Sequence, residues 1–156
     1  MTLFEIRAGE LLKSAGKTVV TAESCTGGLI AHRLTNVSGS SAYLLGGIVA
    51  YSNEAKMNLL RVQESTLIAV GAVSEEVAGE MAVGARNLFH ADYALSVTGI
   101  AGPDGGTAEK PVGLTYVGLA TPQDVRVQRF VWDGDREANK DLSADAALKM
   151  LIEHLT

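Results

Sequence analysis

The 156-residue chain lacks the sequence features that mark disulfide-bonded, membrane-spanning and secreted proteins. Its only cysteine is Cys25, so no disulfide can form within the chain. No apolar run approaches the ~18 residues that a membrane-spanning helix needs. The first residues, MTLFEIRAGELL, lack the basic region and the long apolar region of a signal peptide. We therefore expect a cytoplasmic protein that does not associate with membranes.

Positive charge is also scarce. The chain has 13 lysines and arginines against 18 acidic residues, a formal net charge of −5. A general nucleic-acid binder usually presents a basic surface, so we expect no nucleic-acid partner. A small anion remains compatible, because a few local cations and helix N-termini can hold one phosphate. A metal site is not expected, since there is no cysteine pair, no histidine pair at helical spacing and no tight acidic cluster.

The composition that is present suits one globular domain. Hydrophobic residues make up 47% of the chain and charged residues 20%, which allows a core of normal size. No linker, repeat or low-complexity segment interrupts the chain, so we expect a single domain over residues 1–156.

Helical and strand patterns mostly alternate along the chain. Strands are predicted over residues 17–22, 44–51, 93–97, 113–120 and 125–132. Helices are predicted over residues 3–14 with a Thr2–Glu5 capping box, over 26–34, after Ser52, from Ser74, and over 137–155 after an Asp135 cap. The apolar stripes of the last two helices, which include Leu88 and Leu142, are expected to face inward.

This order predicts an α/β fold, a three-layer α/β/α sandwich on a mixed, mostly parallel sheet with a late antiparallel hairpin. Sites in such folds lie at the carboxyl ends of the parallel strands. Ser24, Tyr51 and Thr98 each lie at or just past the end of a predicted strand. We therefore expect the three residues to converge on one rim of the sheet.

Ser24, in the stretch VVTAESCTGGLIAHRL, has two interpretations. Its hydroxyl suits the N-cap of the following helix. It equally suits a nucleophile at a strand-to-helix turn, where Gly27 and Gly28 would let a substrate approach the backbone. Sequence position does not decide between them, because both require a hydroxyl here.

A nucleophilic serine needs a base. His32, His90 and His154 lie inside or at the ends of helices, away from the strand ends. Lys56, one turn into the helix after Tyr51, is the remaining candidate if burial lowers its pKa. Generally a lone helical lysine is a solvated surface charge, and a tyrosine such as Tyr51 is a core or rim aromatic, although its hydroxyl could relay a proton. Cys25 more often packs as a small buried residue than acts as a nucleophile.

Two further features are compatible with anion binding. The stretch TGIAGPDGG, residues 98–106, could form a nest of backbone N–H groups, or a mobile loop without a ligand. Arg136 could clamp a phosphate or lie on the surface as an ordinary charge.

Five motifs occur in order along the chain: TAESCTGG, GSSAYLLGGIVAYSNEAK, GAVSEEVA, SVTGIAGPDGGTAEKPVG and DGDR. Together they resemble the CinA C-terminal domain family, the competence/damage-inducible proteins, over about residues 7–155. Stand-alone members of that family are nicotinamide-nucleotide amidases. The resemblance therefore implies hydrolysis of the carboxamide of nicotinamide mononucleotide to nicotinate mononucleotide and ammonia, in pyridine-nucleotide salvage, with no metal or organic cofactor. The N-terminal pyrophosphatase-like domain of some members is not expected here.

The resemblance also implies roles for particular residues. Ser24 becomes the nucleophile, Lys56 the base, and Tyr51 a nearby hydroxyl. The residues expected to bind substrate are Thr26, Gly27, Gly28, Thr98, Gly99, Gly102 and Arg136. A non-catalytic nucleotide- or partner-binding module, or an amidase for another small amide, remains an alternative. The apolar helix stripes and the glycine-rich second strand also allow a homo-oligomer.

Overall fold

The computed structural model describes residues 3–156 and contains a five-stranded sheet. The strands are β1 (Val19–Glu23), β2 (Leu44–Val49), β3 (Tyr93–Gly99), β4 (Leu114–Ala120) and β5 (Val125–Val131). The helices are α1 (Leu3–Ala15), α2 (Leu29–Thr35), α3 (Asn53–Leu60), α4 (Glu64–Val70), α5 (Glu75–Phe89) and α6 (Arg136–Leu155). Thr2, and with it the predicted capping box, lies outside the described residues.

The strand order is β2-β1-β3-β4-β5. Strand β1 pairs in parallel with both β2 and β3, whereas β4 runs antiparallel to β3 and to β5. Only β4 therefore points against the other four strands. The mixed, mostly parallel sheet with its late hairpin is confirmed.

Helices cover both faces of the sheet and bury two separate cores. On one face α1, α2 and α6 pack together, and the core there includes Leu12, Leu34, Leu95 and Leu148. On the other face α3 and α4 pack against α5, over a core that includes Met81. Strand β1 is buried along its whole length, because both of its faces are covered.

Local capping signals correctly predicted where three helices begin. The side chains of Ser52, Ser74 and Asp135 accept hydrogen bonds from the backbone N–H groups three residues later, at 3.0, 3.2 and 2.9 Å. Helix α4 was not predicted, and α2 begins at Leu29 rather than at residue 26.

The inward stripes were partly wrong. Leu88 is 56% exposed and Leu142 is 36% exposed. On α6 the buried positions near the site include Asn139 and Ser143 instead, because Asn139 donates to the Ala101 carbonyl and Ser143 accepts from the Trp132 indole. Hydrogen bonds therefore satisfy these buried polar groups.

A buried ion cluster joins the helices of one face. Arg33 on α2 contacts Glu5 on α1 at 2.9 Å and Asp145 on α6 at 2.8 Å. Burial disfavours the charged guanidinium, but the hydrogen bonds to both carboxylates outweigh it and raise the pKa of Arg33. None of the helices within residues 3–156 has the length and apolar character to span a bilayer.

Candidate active site

Ser24 directly follows β1, which lies between β2 and β3 in the sheet. Its backbone N–H donates to the Val97 carbonyl of β3 at 3.0 Å, and its carbonyl accepts from Gly27 at 3.0 Å. The N-cap of α2 is Gly28, which makes no side-chain cap. Ser24 is therefore not the N-cap of α2, and the interpretation of its hydroxyl as a helix cap is wrong. The Ser24 hydroxyl is therefore available for a different hydrogen bond.

The acid beside it, Glu23, holds this turn in place. Its carboxylate is 1% exposed and accepts hydrogen bonds from the Thr26 hydroxyl at 2.7 Å and from the N–H groups of Ile30 and Ala31 at 2.8 and 3.1 Å. A carboxylate at a helix N-terminus is stabilised by the helix dipole. Glu23 thus supplies the helix-start hydrogen bonds that one of the two interpretations gave to Ser24. Its position before a glycine-rich helix start was the available signal.

We expect Glu23→Gln to destabilise the fold by about 1–3 kcal/mol, because an amide nitrogen would then face a backbone donor. Urea unfolding followed by circular dichroism measures the loss. The matched control is Glu54→Gln, which removes the same charge from an exposed carboxylate in the first turn of α3. Equal unfolding free energies for the two variants would show that Glu23 does not hold the turn.

Lys56 brings its amine to Ser24. Its Nζ lies 2.9 Å from the Ser24 Oγ, 2.9 Å from the Ala50 carbonyl and 3.1 Å from the Tyr51 carbonyl. The Ser52 cap starts α3 so that Lys56 lies one turn in, and helical side chains lean toward the N-terminus. The side chain therefore reaches back across the end of β2 to the end of β1.

The environment of Lys56 favours the neutral amine. The residue is 1% exposed, and within residues 3–156 no carboxylate pairs with it. Burial lowers its pKa from the ordinary 10.5, with a smaller opposing effect from Cys25. A neutral amine has two N–H donors, which match the carbonyls of Ala50 and Tyr51, and one lone pair, which matches the Ser24 hydroxyl proton. This arrangement can deprotonate a serine.

Cys25 is poorly suited to act as the nucleophile instead. It is 8% exposed, and burial raises the pKa of its thiol to about 11. At neutral pH the thiol is therefore protonated and unreactive. The interpretation of Cys25 as a small buried packing residue agrees with this environment.

Tyr51 and Arg136 form a second contact, separate from the Ser24–Lys56 pair. Tyr51 is 62% exposed, and its hydroxyl accepts from Arg136 Nη2 at 3.3 Å. Arg136 Nη1 also donates to the Gly102 carbonyl at 2.7 Å. The Tyr51 carbonyl contacts Lys56, whereas its hydroxyl bonds Arg136, so the expected proton-relay role of the hydroxyl stays a prediction.

The expected substrate-binding residues fall into two sets. Thr26 and Thr98 are each 1% exposed and use their hydroxyls inside the protein: Thr26 donates to Glu23, and Thr98 donates to the Ala72 carbonyl at 2.9 Å. Gly99 lies in β3, where a Cβ would come within 2.9 Å of the Leu114 carbonyl oxygen. Hydrogen bonds within the protein account for the two threonines, and close packing against β4 accounts for Gly99. Contact of the three residues with a substrate stays a prediction.

Gly27 and Gly28 lie in the turn after Ser24, whereas Gly102 is buried in the loop after β3, where its carbonyl accepts a hydrogen bond from Arg136. Gly27 and Gly28 have φ angles of +62° and +100°, which favour glycine. Within the described chain, the backbone N–H groups of Thr26 and Gly28 make no hydrogen bond. The turn therefore presents free donors close to Ser24.

The large cavities are not lined by Ser24 or Lys56. A cavity of about 620 Å³ between α3 and α5 is lined by residues such as Leu59, Glu80 and Val83, and includes neither Ser24 nor Lys56. A second, of about 530 Å³, lies against Arg136 and Pro103. Chemistry and not cavity size therefore identifies the rim at Ser24 as the candidate site.

Comparison with known proteins agrees with this fold. The family model of the CinA C-terminal domain matches residues 3–155 of this chain. The chain belongs to the CinA C-terminal domain family. Among relatives called CinA-like protein, that of Geobacter sp. strain M21 is 54% identical over 149 residues, which cover 96% of this chain and 36% of the relative. That of Chloroherpeton thalassium is 53% identical over 155 residues, covering 97% and 37%. The chain thus spans little more than a third of these CinA relatives.

Solved CinA structures have the same fold over almost the whole chain. A CinA superfamily protein from Klebsiella pneumoniae superposes with a TM-score of 0.95 at 35% identity, covering 98% of this chain and 96% of that one. The competence/damage inducible protein CihA from Agrobacterium tumefaciens gives a TM-score of 0.93 at 42% identity, covering 98% and 96%. The arrangement of strands and helices is therefore that of the CinA superfamily.

Proposed function

We propose that this chain is a nicotinamide-nucleotide amidase, which hydrolyses nicotinamide mononucleotide to nicotinate mononucleotide and ammonia. One observation carries the proposal: the buried Lys56 amine lies 2.9 Å from the Ser24 Oγ and has two backbone carbonyls as its other partners. A hydroxyl activated by a neutral amine is a nucleophile for an amide carbon. The resemblance to stand-alone CinA family members supplies the substrate.

In the proposed mechanism, Lys56 takes the hydroxyl proton of Ser24 while the Ser24 Oγ bonds to the carboxamide carbon. The resulting tetrahedral oxyanion accepts hydrogen bonds from the backbone N–H groups of Thr26 and Gly28, which lack other partners. Lys56 then returns the proton to the departing nitrogen, and ammonia leaves.

An acyl-enzyme ester on Ser24 remains. Lys56, again neutral, takes a proton from water as the hydroxide oxygen bonds to the acyl carbon. Collapse of this second intermediate breaks the ester bond, returns the proton to Ser24 and releases the carboxylate product. Tyr51 is an alternative donor to the departing nitrogen, if its hydroxyl leaves Arg136 when substrate binds.

The test is ammonia release from nicotinamide mononucleotide by the purified protein, with the product identified by chromatography. We expect turnover that persists after EDTA treatment, with nicotinate mononucleotide as the product. Parallel assays contain free nicotinamide and the dinucleotide, because a faster reaction with either would replace the mononucleotide as the substrate. Binding without turnover of any of the three would instead favour a nucleotide-binding module.

A further inference from the structure

The loop after β3, residues 100–113, is fixed to α6 at its start. The Ala101 carbonyl accepts a hydrogen bond from the buried Asn139 amide at 3.0 Å, and the Gly102 carbonyl accepts from Arg136 at 2.7 Å. The loop lies at the rim, because it continues directly from the carboxyl end of β3. Its first residues are therefore held by a helix that covers one face of the sheet.

Lys110 fixes the same loop to a helix on the opposite face of the sheet. Its Nζ donates to the carbonyl of Val70, the last residue of α4. Carbonyls in the last turn of a helix lack helical partners, and a lysine ammonium can satisfy them. The glycine that follows, Gly71, leaves room for the ammonium, since Lys110 Nζ lies 3.0 Å from the position of a Cβ there. None of the ion pairs within residues 3–156 includes Lys110, so a carbonyl and not a carboxylate holds its ammonium.

The segment to which Lys110 attaches is itself held in place. The Thr98 hydroxyl of β3 donates to the Ala72 carbonyl at 2.9 Å. Ser74, which caps α5, also donates its hydroxyl to the Gly71 carbonyl at 2.8 Å. The segment between α4 and α5 is thus tied both to the sheet and to α5, and it gives the loop a fixed support.

Val112 connects the anchor at Lys110 to a cavity at the rim. It follows Lys110 by two residues and packs closely against two glycines of the loop, Gly102 and Gly106, because its side chain occupies the space that a Cβ on either glycine would need. Val112 and Arg136 line the same cavity of about 530 Å³. The hydrogen bond of Lys110 therefore sets the position of one wall of this cavity.

We propose that Lys110 is a positioning residue for substrate binding at the Ser24 centre: it anchors the loop after β3 to α4 and so keeps Val112 in place before the substrate arrives. The proposal rests on the proposed function. A wall that is already in place adds no ordering cost to binding, whereas a loop held only at α6 must be ordered when the substrate binds. Lys110 therefore affects KM, while kcat is set by the Ser24–Lys56 pair, whose hydrogen bonds do not involve the loop.

The test is Lys110→Met, assayed with nicotinamide mononucleotide. We expect KM to rise about 10-fold, the effect of one lost hydrogen bond from a charged group, with kcat within about 2-fold of the wild type. Lys110→Arg should restore most of the loss, because a guanidinium also donates to a carbonyl. The matched control is Lys13→Met, which removes the same charge from an exposed lysine in the last turn of α1 and should leave KM unchanged.

A second measurement does not depend on turnover. Hydrogen–deuterium exchange, followed by mass spectrometry, should accelerate across residues 101–113 in Lys110→Met and not in Lys13→Met, while exchange in the five strands stays unchanged. If the wild type deamidates nothing but shows this difference, the proposed function fails and the anchor between the loop and α4 stands. Equal exchange in Lys110→Met and the wild type, or an unchanged KM in an active enzyme, would overturn the positioning role.

Discussion

Ser24→Ala is expected to lower kcat for nicotinamide mononucleotide by about 10²–10⁴-fold, because the variant has no oxygen to attack the amide carbon. The fold should survive, since the Ser24 contacts within the sheet and the turn are made by its backbone. Single-turnover ammonia release and circular dichroism measure the two effects. Retention of more than about a tenth of the wild-type rate would exclude Ser24 as the nucleophile.

A matched control for this substitution is Ser96→Ala. Ser96 lies on β3 next to Ala22 of β1, is fully buried, and donates to the Ala78 carbonyl at 2.6 Å. Its replacement removes the same hydroxyl from the same sheet and should cost about 1 kcal/mol of stability with kcat unchanged. A similar fall in kcat for both variants would indicate a structural effect in place of a chemical one.

Lys56→Met is expected to lower kcat by about 10²–10⁴-fold, because the hydroxyl proton of Ser24 then has no acceptor. Lys56→Arg should be equally impaired, since a guanidinium stays protonated at every pH of the assay. Binding of the mononucleotide, measured by calorimetry, should be preserved in both. High activity in the arginine variant would rule out Lys56 as a base and leave it an electrostatic role.

The pH dependence of activity separates these roles further. Burial lowers the pKa of Lys56 below 10.5, so wild-type kcat/KM should rise as the amine deprotonates and level off before an ordinary lysine would titrate. The residual activity of Lys56→Met should lack this rise. An identical profile in the two proteins would assign the titration to another group.

The lowered pKa of Lys56 also makes the free energy of unfolding depend on pH. In the unfolded chain Lys56 binds its proton with the ordinary pKa of 10.5, whereas in the folded protein burial weakens that binding. The unfolded state therefore holds more protons between the two pKa values, and the folded state gains stability there as pH rises. Measured against Lys56→Met, the unfolding free energy of the wild type should increase with pH through this window. At lower pH the penalty for the buried charge is present in full.

Local sequence signals determined much of the architecture. Ser52, Ser74 and Asp135 each predicted a helix start, because a cap joins groups only three residues apart. The alternation of strands and helices predicted the layered fold for a similar reason, since side-chain periodicity is a local property. Ser24 and Lys56 also emerged from the sequence, as the two members of a serine–lysine pair in motifs that resemble the CinA family.

The tertiary structure decided what surrounds those two residues. Ser24 and Lys56 are 32 residues apart, and the parallel pairing of β1 with β2 brings α3, which carries Lys56, to Ser24. The carboxylate of Glu23, and not the Ser24 hydroxyl, accepts hydrogen bonds at the start of α2, because the folded turn brings the N–H groups of Ile30 and Ala31 to it. Burial lowers the pKa of Lys56, and no local sequence pattern encodes this effect because the desolvation comes from the layers that pack around the side chain.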